Sequence, residues 1–222
     1  MINACLRAQA QTQPLEPHQL QVVIIGAGAT GVELAAELHR TTRAIISFGM
    51  DRVDPEKDLK VILIEAAPRI LPALSARVSD AAEKLLSDLG VKVMTGATVK
   101  QIQADRVCLS NGVEIPAELI VWAAGVKAPD FLKDIGGLET NHVNQLLVLP
   151  TLQSTRDPHI FAMGDCAACP WPEANQGKGG IVPPRAQAAH QQASHLFAQI
   201  NQIIDGKPLK PYQYRDFGSL VS

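Results

Sequence analysis

The sequence predicts an α/β fold whose main part is a Rossmann-like dinucleotide-binding domain. The stretch "VVIIGAGATGVELAAEL", residues 22–38, joins an apolar run, three spaced glycines and a helical pattern. Two more apolar runs follow, "KVILIE" at residues 60–65 and "VKVMTG" at residues 91–96. Short apolar runs of this kind are typical of parallel strands that are buried on both faces. The repeated order of strand, helix and strand therefore indicates a parallel sheet with helices on its faces.

The composition limits the possible functions. The chain has 222 residues, 46% hydrophobic content and a formal net charge of -2, so it can bury a sizeable core. It lacks a dense Lys/Arg tract, which argues against nucleic-acid binding because phosphates require clustered positive charge. Four scattered cysteines do not fit a disulfide-stapled secreted domain. No apolar stretch approaches the roughly 20 residues of a spanning helix, so we expect a cytoplasmic protein.

The first elements flank the glycines. Val22–Ile25 is expected to be a central strand, and the helix after the turn is indicated by apolar residues at helical spacing: Val32, Ala35, Ala36 and Leu38. The polar residues 41–58 are expected to form an insertion that lengthens the crossover to the strand at residues 60–65.

The later elements complete this domain and start another. Residues 79–90 predict a helix that ends at Gly90, residues 98–115 predict a small antiparallel meander, and residues 118–125 predict a buried strand. Beyond residue 126 the chain is rich in turns. We expect a short strand at Ile160–Met163, a long irregular loop, and a helix of about 20 residues that starts at Ala186.

The glycines Gly26, Gly28 and Gly31 fit the G-x-G-x-x-G pattern of dinucleotide-binding turns. The pattern requires a tight turn, close approach of the backbone to a pyrophosphate, and a helix packed on its strand. Thr30 lies in the same turn and belongs to the same predicted cofactor site. A glycine turn in an unrelated α/β domain is the alternative.

Glu65 ends the second strand and predicts the choice of nucleotide. Its carboxylate can accept hydrogen bonds from both ribose hydroxyls of an adenosine and would repel a 2′-phosphate, which favours NAD over NADP. It lies 34 residues beyond Gly31, against about 20 in the usual fingerprint, and we attribute the excess to the insertion. Arg69 could hold a 2′-phosphate, although an arginine there is more often a solvated or capping charge.

Five motifs together resemble the bacterial type II NADH:quinone oxidoreductases, single-subunit flavoenzymes of respiratory chains: "GAGATGVELAAEL", "VILIEAAPRILP", "VWAAGVKAPDFL", "IFAMGDCAACPWP" and "VPPRAQAAHQQA". In that family an NADH-binding domain is inserted into an FAD-binding domain. The resemblance implies that residues 1–16 end a segment of the FAD domain. Residues 17–130 then form the NADH-binding domain, and residues 131–222 are the returning part of the FAD domain.

The resemblance also implies roles for individual residues. The three glycines and Glu65 would hold NADH, and Ala124 with Gly125 would line its nicotinamide. Asp165, with Gly164, would accept a hydrogen bond from a flavin ribityl hydroxyl. The remaining implied residues are catalytic or lie beside the isoalloxazine and a quinone: Glu33, Gln187, Ala188 and His190.

Each implied role has an ordinary structural alternative. Asp165 can be an acidic turn residue, Gln187 and His190 can be surface residues of an amphipathic helix, and Glu33 can be an acid favoured by the helix dipole. Cys166 and Cys169 form a C-x-x-C that can indicate a redox disulfide or zinc. A zinc site lacks two further ligands at suitable spacing, so no metal is expected, and the family implies a loop beside the flavin.

The implied parent enzyme passes a hydride from NADH to FAD and electrons to a quinone at the cytoplasmic face of the inner membrane. Only one glycine motif is found, so we expect a fragment that lacks the N-terminal FAD half and the C-terminal membrane tail, and that binds NADH without turnover. Copies are expected to associate through exposed FAD-domain surface. The alternatives are a stand-alone NAD(H)-binding module and a flavoprotein reductase for ferredoxin, nitrite or a disulfide.

Overall fold

The computed structural model describes residues 1–177 and 179–218. A first compact unit covers Met1–Gly125, and a second unit begins at Val126. Residues 1–16 contact the first unit, where the helix that starts the chain buries Ala4, Cys5 and Ala8.

The first unit contains the predicted parallel sheet and meander. Its elements in chain order are α1 (Ile2–Ala10), β1 (Gln21–Ile25), α2 (Ala29–Ser47), β2 (Lys60–Ile64), α3 (Ala76–Asp88), β3 (Lys92–Met94), β4 (Val99–Ile102), β5 (Arg106–Leu109), β6 (Glu114–Pro116) and β7 (Leu119–Trp122). The strands β3, β2, β1 and β7 are neighbours in that order, and all their pairings are parallel. The strands β4, β5 and β6 form an antiparallel meander. The predicted α/β fold is thereby confirmed.

The central strand β1 explains how the sheet is covered on both faces. All five of its residues are buried. Val22 and Ile24 pack with Ala35 of α2 in one apolar cluster, whereas Val23 and Ile25 pack on the opposite face in a cluster that includes residues of the meander. This division follows from the two-residue period of a strand, and it accounts for the uninterrupted apolar run in the sequence.

Four element predictions need correction. The strand expected to be buried at residues 118–125 covers Leu119–Trp122 and has no buried residue, and Trp122 is 60% exposed. The long loop expected before α5 is not irregular throughout, because short strands and one short helix lie within it.

The insertion expected at residues 41–58 is wrong in its first part, because α2 continues to Ser47. Thr42 and Ile46 are only 2% and 3% exposed, and together with His39 they continue the buried stripe of the helix. The strand expected at Ile160–Met163 is also wrong. Its residues form no named strand, and the bridge between Gln153 and Phe161 is isolated.

The second unit is built from short elements around one helix. They are β8 (Leu146–Leu147), β9 (Ala167–Ala168), β10 (Pro170–Trp171), α4 (Ala174–Gly177), β11 (Gly180–Ile181) and α5 (Ala186–Ile204), with 3-10 turns at Asp130–Asp134 and Gly164–Cys166. The predicted long helix is confirmed as α5. Its apolar cluster includes Leu152, Cys169, Ala188, Tyr212 and Tyr214, all 7% exposed or less.

The burial of His39 predicts that the free energy of unfolding depends on pH. It is 5% exposed, and its Nδ1 has no hydrogen-bond partner among the described residues. Burial, assisted by the nearby charge of Arg43, lowers its pKa below the usual value, although Glu56 acts in the opposite direction. A histidine with a lowered pKa in the folded state binds protons more readily when unfolded. The stabilising effect of neutral His39 is therefore present above its unfolded pKa of about 6.5 and is lost as pH falls through the folded value.

We expect His39→Leu to flatten the fall in unfolding free energy between about pH 7 and pH 5. Urea titrations at a series of pH values measure this slope. His142→Gln is the matched control, because His142 is exposed and its replacement should leave the slope unchanged. An equal slope in the wild type and in His39→Leu would contradict the prediction.

Candidate functional site

Three strands of the first unit end at the same edge of the sheet, and the predicted nucleotide residues lie there. The glycine turn follows β1, Glu65 follows β2, and Ala124 with Gly125 follows β7. Since β2, β1 and β7 are adjacent and parallel, these segments converge at their carboxyl ends. Crevices at this edge of an open α/β sheet are the common location of ligand sites.

The three glycines of the turn meet three different steric demands. Gly26 has a φ of +101°, and a Cβ there would lie 2.6 Å from the Cα of Ala124. A Cβ on Gly31 would lie 1.8 Å from the carbonyl oxygen of Gly26, so no side chain fits where α2 crosses β1. A Cβ at Gly28, in contrast, would have no neighbouring atom within 4 Å. The space at Gly28 is therefore open in the crevice, as close approach of a ligand to the backbone requires.

Helix α2 begins directly at this open space. Gly28 is its N-cap and supplies no side-chain cap, so the first amides of the helix have no intrahelical acceptor. Thr30 lies exposed in the first turn. Amides at a helix N-terminus attract anions such as a pyrophosphate, because they carry the positive end of the helix dipole.

Glu65 turns its carboxylate toward the glycine turn. Its Oε2 accepts the backbone N–H of Ala27 at 2.7 Å, and its Oε1 accepts the N–H of Ala67 at 2.9 Å. The residue is half-buried. A carboxylate oxygen accepts more than one hydrogen bond, so each oxygen keeps capacity for a ribose hydroxyl. Arg69 donates to the carbonyl oxygen of Pro72 at 3.0 Å and is thus engaged locally.

Glu33 lies in a groove beside the glycine turn's helix. It is half-buried on α2 and lines a cavity of about 890 Å³ between α2 and α3, together with apolar residues such as Val78 and Leu85. Ala124 and Gly125 do not line that cavity. The structure therefore brings together the glycines, Glu65, Ala124 and Gly125 in one crevice, and it puts Glu33 in the neighbouring groove.

The predicted ribityl-binding residues of the second unit form a short 3-10 turn. Gly164 has a φ of +70°, which favours glycine, and Asp165 is exposed. The N–H of Gly164 donates to Oε1 of Gln192 at 2.6 Å, and the carbonyl oxygen of Asp165 accepts from Nε2 of Gln145 at 2.9 Å. The carboxylate of Asp165 is thus presented to solvent by a turn that side chains hold in place.

Helix α5 places its predicted residues on different faces. Ala188 is buried, whereas His190 is exposed and lines a cavity of about 500 Å³ with Lys210 and Arg215. The amide of Gln187 is engaged by the C-terminal segment. Its Oε1 accepts the N–H of Phe217 at 3.2 Å, and its Nε2 donates to the carbonyl oxygen of residue 218 at 2.8 Å.

Sequence reasoning missed a row of residues on α5 that continues from Gln187 at intervals of four: Gln191, His195 and Gln199. Gln191 exchanges two hydrogen bonds with the backbone of Arg215, and both His195 and Gln199 contact the backbone of Lys210. Their spacing puts them on one helix face, and this period is the signal that could have identified them. The partners on residues 210–218 carry no such pattern.

The C-x-x-C contains two free thiols. Cys169 is fully buried, and burial raises its pKa to about 11, while a hydrogen bond from Gln192 acts weakly in the opposite direction. A protonated buried thiol is a poor nucleophile.

Within the described residues no group of three or more His, Cys, Asp or Glu side chains is arranged to hold a metal ion. None of the helices in the described ranges has the length and apolarity needed to cross a membrane.

Comparisons with known proteins agree with this arrangement. A family model described as pyridine nucleotide-disulphide oxidoreductase matches residues 2–193. The chain is 43% identical to a type II NADH:quinone oxidoreductase of Haemophilus influenzae over 94% of its own length and 46% of that protein. A Mycobacterium tuberculosis protein of the same name is 30% identical, with 100% of this chain and 48% of that protein covered.

A solved ferredoxin reductase from Rhodopseudomonas palustris superposes with a TM-score of 0.65 and 28% identity, covering 87% of this chain and 43% of that one. The chain therefore spans about half the length of the curated relatives and solved structures that it matches.

Proposed function

The chain belongs to the pyridine nucleotide-disulphide oxidoreductase family, and from this premise we propose that its first unit binds NADH within a type II NADH:quinone oxidoreductase. The observation that carries the proposal is the carboxylate of Glu65, which accepts the backbone N–H of Ala27, the residue before the open space at Gly28. An acid and bare helix amides in one crevice match the two ends of an adenosine diphosphate, hydroxyls and phosphates.

The backbone of the glycine turn leaves room for the cofactor. A Cβ at Gly28 would occupy open space at the start of α2, so the turn leaves room for a pyrophosphate at the amides. Glu65 would accept the ribose hydroxyls, and Ala124 with Gly125 would line the nicotinamide side. Ala124 and Gly125 follow β7, and Trp122 at the end of that strand is 60% exposed and donates from Nε1 to the carbonyl oxygen of Ala124 at 2.6 Å.

The second unit supports a partial flavin site. The exposed carboxylate of Asp165 can accept a hydrogen bond from a ribityl hydroxyl, and Gly164 gives its turn the required left-handed backbone. When bound, FAD supplies the chemistry that accepts two electrons from NADH and passes them on to a quinone. The chain contributes only one glycine-rich dinucleotide turn, so we propose that it binds NADH without completing turnover.

The reaction roles of three more residues belong to the same proposal. Gln187 would orient a quinone carbonyl with its amide, which requires release of its contact with residue 218. His190 would hold a proton beside the quinone, and Glu33 would deliver one near the nicotinamide. The parent would act at the cytoplasmic face of the inner membrane, with a quinone as acceptor, which is the acceptor that the names of the relatives give for those proteins.

Self-association of copies is also proposed for the chain. Helix α5 exposes Phe197 and Ile204 at 77% each, and Ile200 lies between them on the same helix face. Exposed apolar patches of this kind favour association.

A second candidate function is that of a reductase for a protein acceptor. The likeness to a ferredoxin reductase at 28% identity favours it, because that protein shares the same fold over most of this chain. The two functions can be distinguished by acceptor assays on a protein that spans the full length of the relatives and contains these residues. Preferred reduction of a quinone supports the first candidate, and preferred reduction of ferredoxin supports the second.

We expect the chain to bind NADH at least about tenfold more tightly than NADPH. The 2′-phosphate of NADPH would face the Glu65 carboxylate, and like charges at close range are unfavourable. Calorimetric titrations with the two nucleotides at equal ionic strength measure the ratio. Equal affinities would contradict the role of Glu65 and point to Arg69 as a phosphate ligand.

We expect Gly28→Ala to weaken NADH binding by about tenfold or more with little change in thermal unfolding. The added methyl enters open space and therefore does not disturb the fold, but it occupies the room for the pyrophosphate. Gly31→Ala should instead prevent folding, because its methyl would overlap the Gly26 carbonyl. Ala104→Ser, in the exposed turn between β4 and β5, is the control that should change neither property. Unchanged NADH affinity in Gly28→Ala would place the pyrophosphate elsewhere.

We expect the purified chain to bind NADH but not to oxidise it in the presence of a soluble quinone. The decay of NADH absorbance is the measurement, and added FAD at equimolar concentration should not restore the reaction. A yellow preparation with stoichiometric flavin and steady NADH oxidation would contradict the proposal that the chain alone cannot turn over.

A further inference from the structure

Two buried glutamines hold the turn that carries Asp165. Gln192 on α5 is 1% exposed, and its Oε1 accepts the N–H of Gly164 at 2.6 Å. Gln145 is 7% exposed and precedes β8, and its Nε2 donates to the carbonyl oxygen of Asp165 at 2.9 Å. Two consecutive residues of the turn, Gly164 and Asp165, thus form hydrogen bonds with side chains from two different segments of the chain. Neither glutamine belongs to the residues that the sequence assigned to a ligand.

The turn depends on such contacts because it is short and has few backbone hydrogen bonds of its own. Gly164 adopts a φ of +70°, and a Cβ there would lie 3.4 Å from the Cβ of Ala189. The 3-10 segment Gly164–Cys166 has only three residues, so few backbone hydrogen bonds can stabilise it. Hydrogen bonds from buried side chains therefore supply what the local backbone lacks.

The surrounding groups determine how each amide is oriented. Oε1 of Gln145 accepts from Nδ2 of Asn141 at 2.9 Å, which leaves its Nε2 to face Asp165. Gln192 uses Oε1 to accept the N–H of Gly164, so its Nε2 points away from that donor. A flipped amide would set donor against donor at one contact of each glutamine. Both side chains are therefore held in single orientations.

We propose that Gln145 and Gln192 are positioning residues that hold Gly164 and Asp165 so that the Asp165 carboxylate meets the ribityl chain of a flavin. This inference rests on the proposed flavin site. The two glutamines act through the turn and do not touch the ligand. As neutral groups they fix the position of the carboxylate without adding charge beside it.

The first arm of the test needs no ligand. In Gln192→Met the volume is nearly kept but the acceptor is lost, so hydrogen exchange of the Gly164 amide, followed by NMR, should accelerate by about tenfold. In Gln145→Met the carbonyl carbon of Asp165 should shift, because it loses a hydrogen-bond donor. Gln199→Met is the matched control, since Gln199 is also buried on α5 but bonds Lys210. If both signals in the variants equal those of the control, the glutamines do not hold the turn and the proposal fails.

The second arm measures whether the turn serves a flavin. FAD is titrated into the chain at concentrations up to the millimolar range, and binding is followed by the NMR shifts of residues 164–166. We expect Gln192→Met and Gln145→Met each to weaken binding by about tenfold, with Gln199→Met unchanged. In an Asp165→Ala background the loss from either glutamine variant should disappear, because both act through that carboxylate.

The outcomes separate this inference from the function on which it rests. Faster exchange of the Gly164 amide and a shifted Asp165 carbonyl carbon, together with a non-additive loss of FAD affinity, support it. Additive losses in the Asp165→Ala background would overturn it, because the glutamines would then act independently of the carboxylate. Normal NADH binding with no FAD shift at residues 164–166 in the wild type would overturn the flavin role of the turn, while the NADH assignment of the first unit stands.

Discussion

The close approach of α2 to β1 is the constraint on which the proposed nucleotide site depends. A Cβ at Gly31 would come within 1.8 Å of the Gly26 carbonyl oxygen, so only glycine lets the helix begin where it does. The position of that crossing brings the first amides of α2 to the carboxyl edge of the sheet. It also puts Ala27 within reach of Glu65 on the adjacent strand. Without this close contact between the two backbones, the helix amides would not lie at this edge of the sheet, and the crevice would lack its positive partial charge.

Glu65 combines a structural role with a proposed recognition role in one carboxylate. The hydrogen bond from Ala27 links the glycine turn to the segment after β2, and the hydrogen bond from Ala67 orients the carboxylate within that segment. Because both bonds come from backbone amides, the carboxylate is already oriented before a ribose arrives. A preoriented acceptor loses little conformational freedom on binding. The same residue is thereby both the link between two loops and the proposed reader of the ribose.

The sequence predicts what is encoded locally and misses what depends on distant partners. The strand β1, the glycine turn and the helix α5 were predicted because each has a period or a steric demand within a few residues. The end of α2 was misjudged because residues 41–58 are polar as a whole. Thr42 and Ile46 lie within that stretch and are buried through packing that the local sequence does not show. The strand expected at residues 160–163 failed because an apolar run does not specify a pairing partner.

The candidate site shows the same division at the level of side chains. Gly26, Gly31 and Glu65 could be identified because their motif prescribes their geometry. Gln145 and Gln192 could not, since a buried glutamine is recognisable only by the backbone groups that it satisfies, here Gly164 and Asp165. Their neutrality has a consequence for chemistry. Amides do not titrate over the physiological pH range, so the two hydrogen bonds that hold the turn do not depend on pH. A ligand that gains negative charge on reduction would therefore meet a turn whose supporting side chains carry no ionisable group.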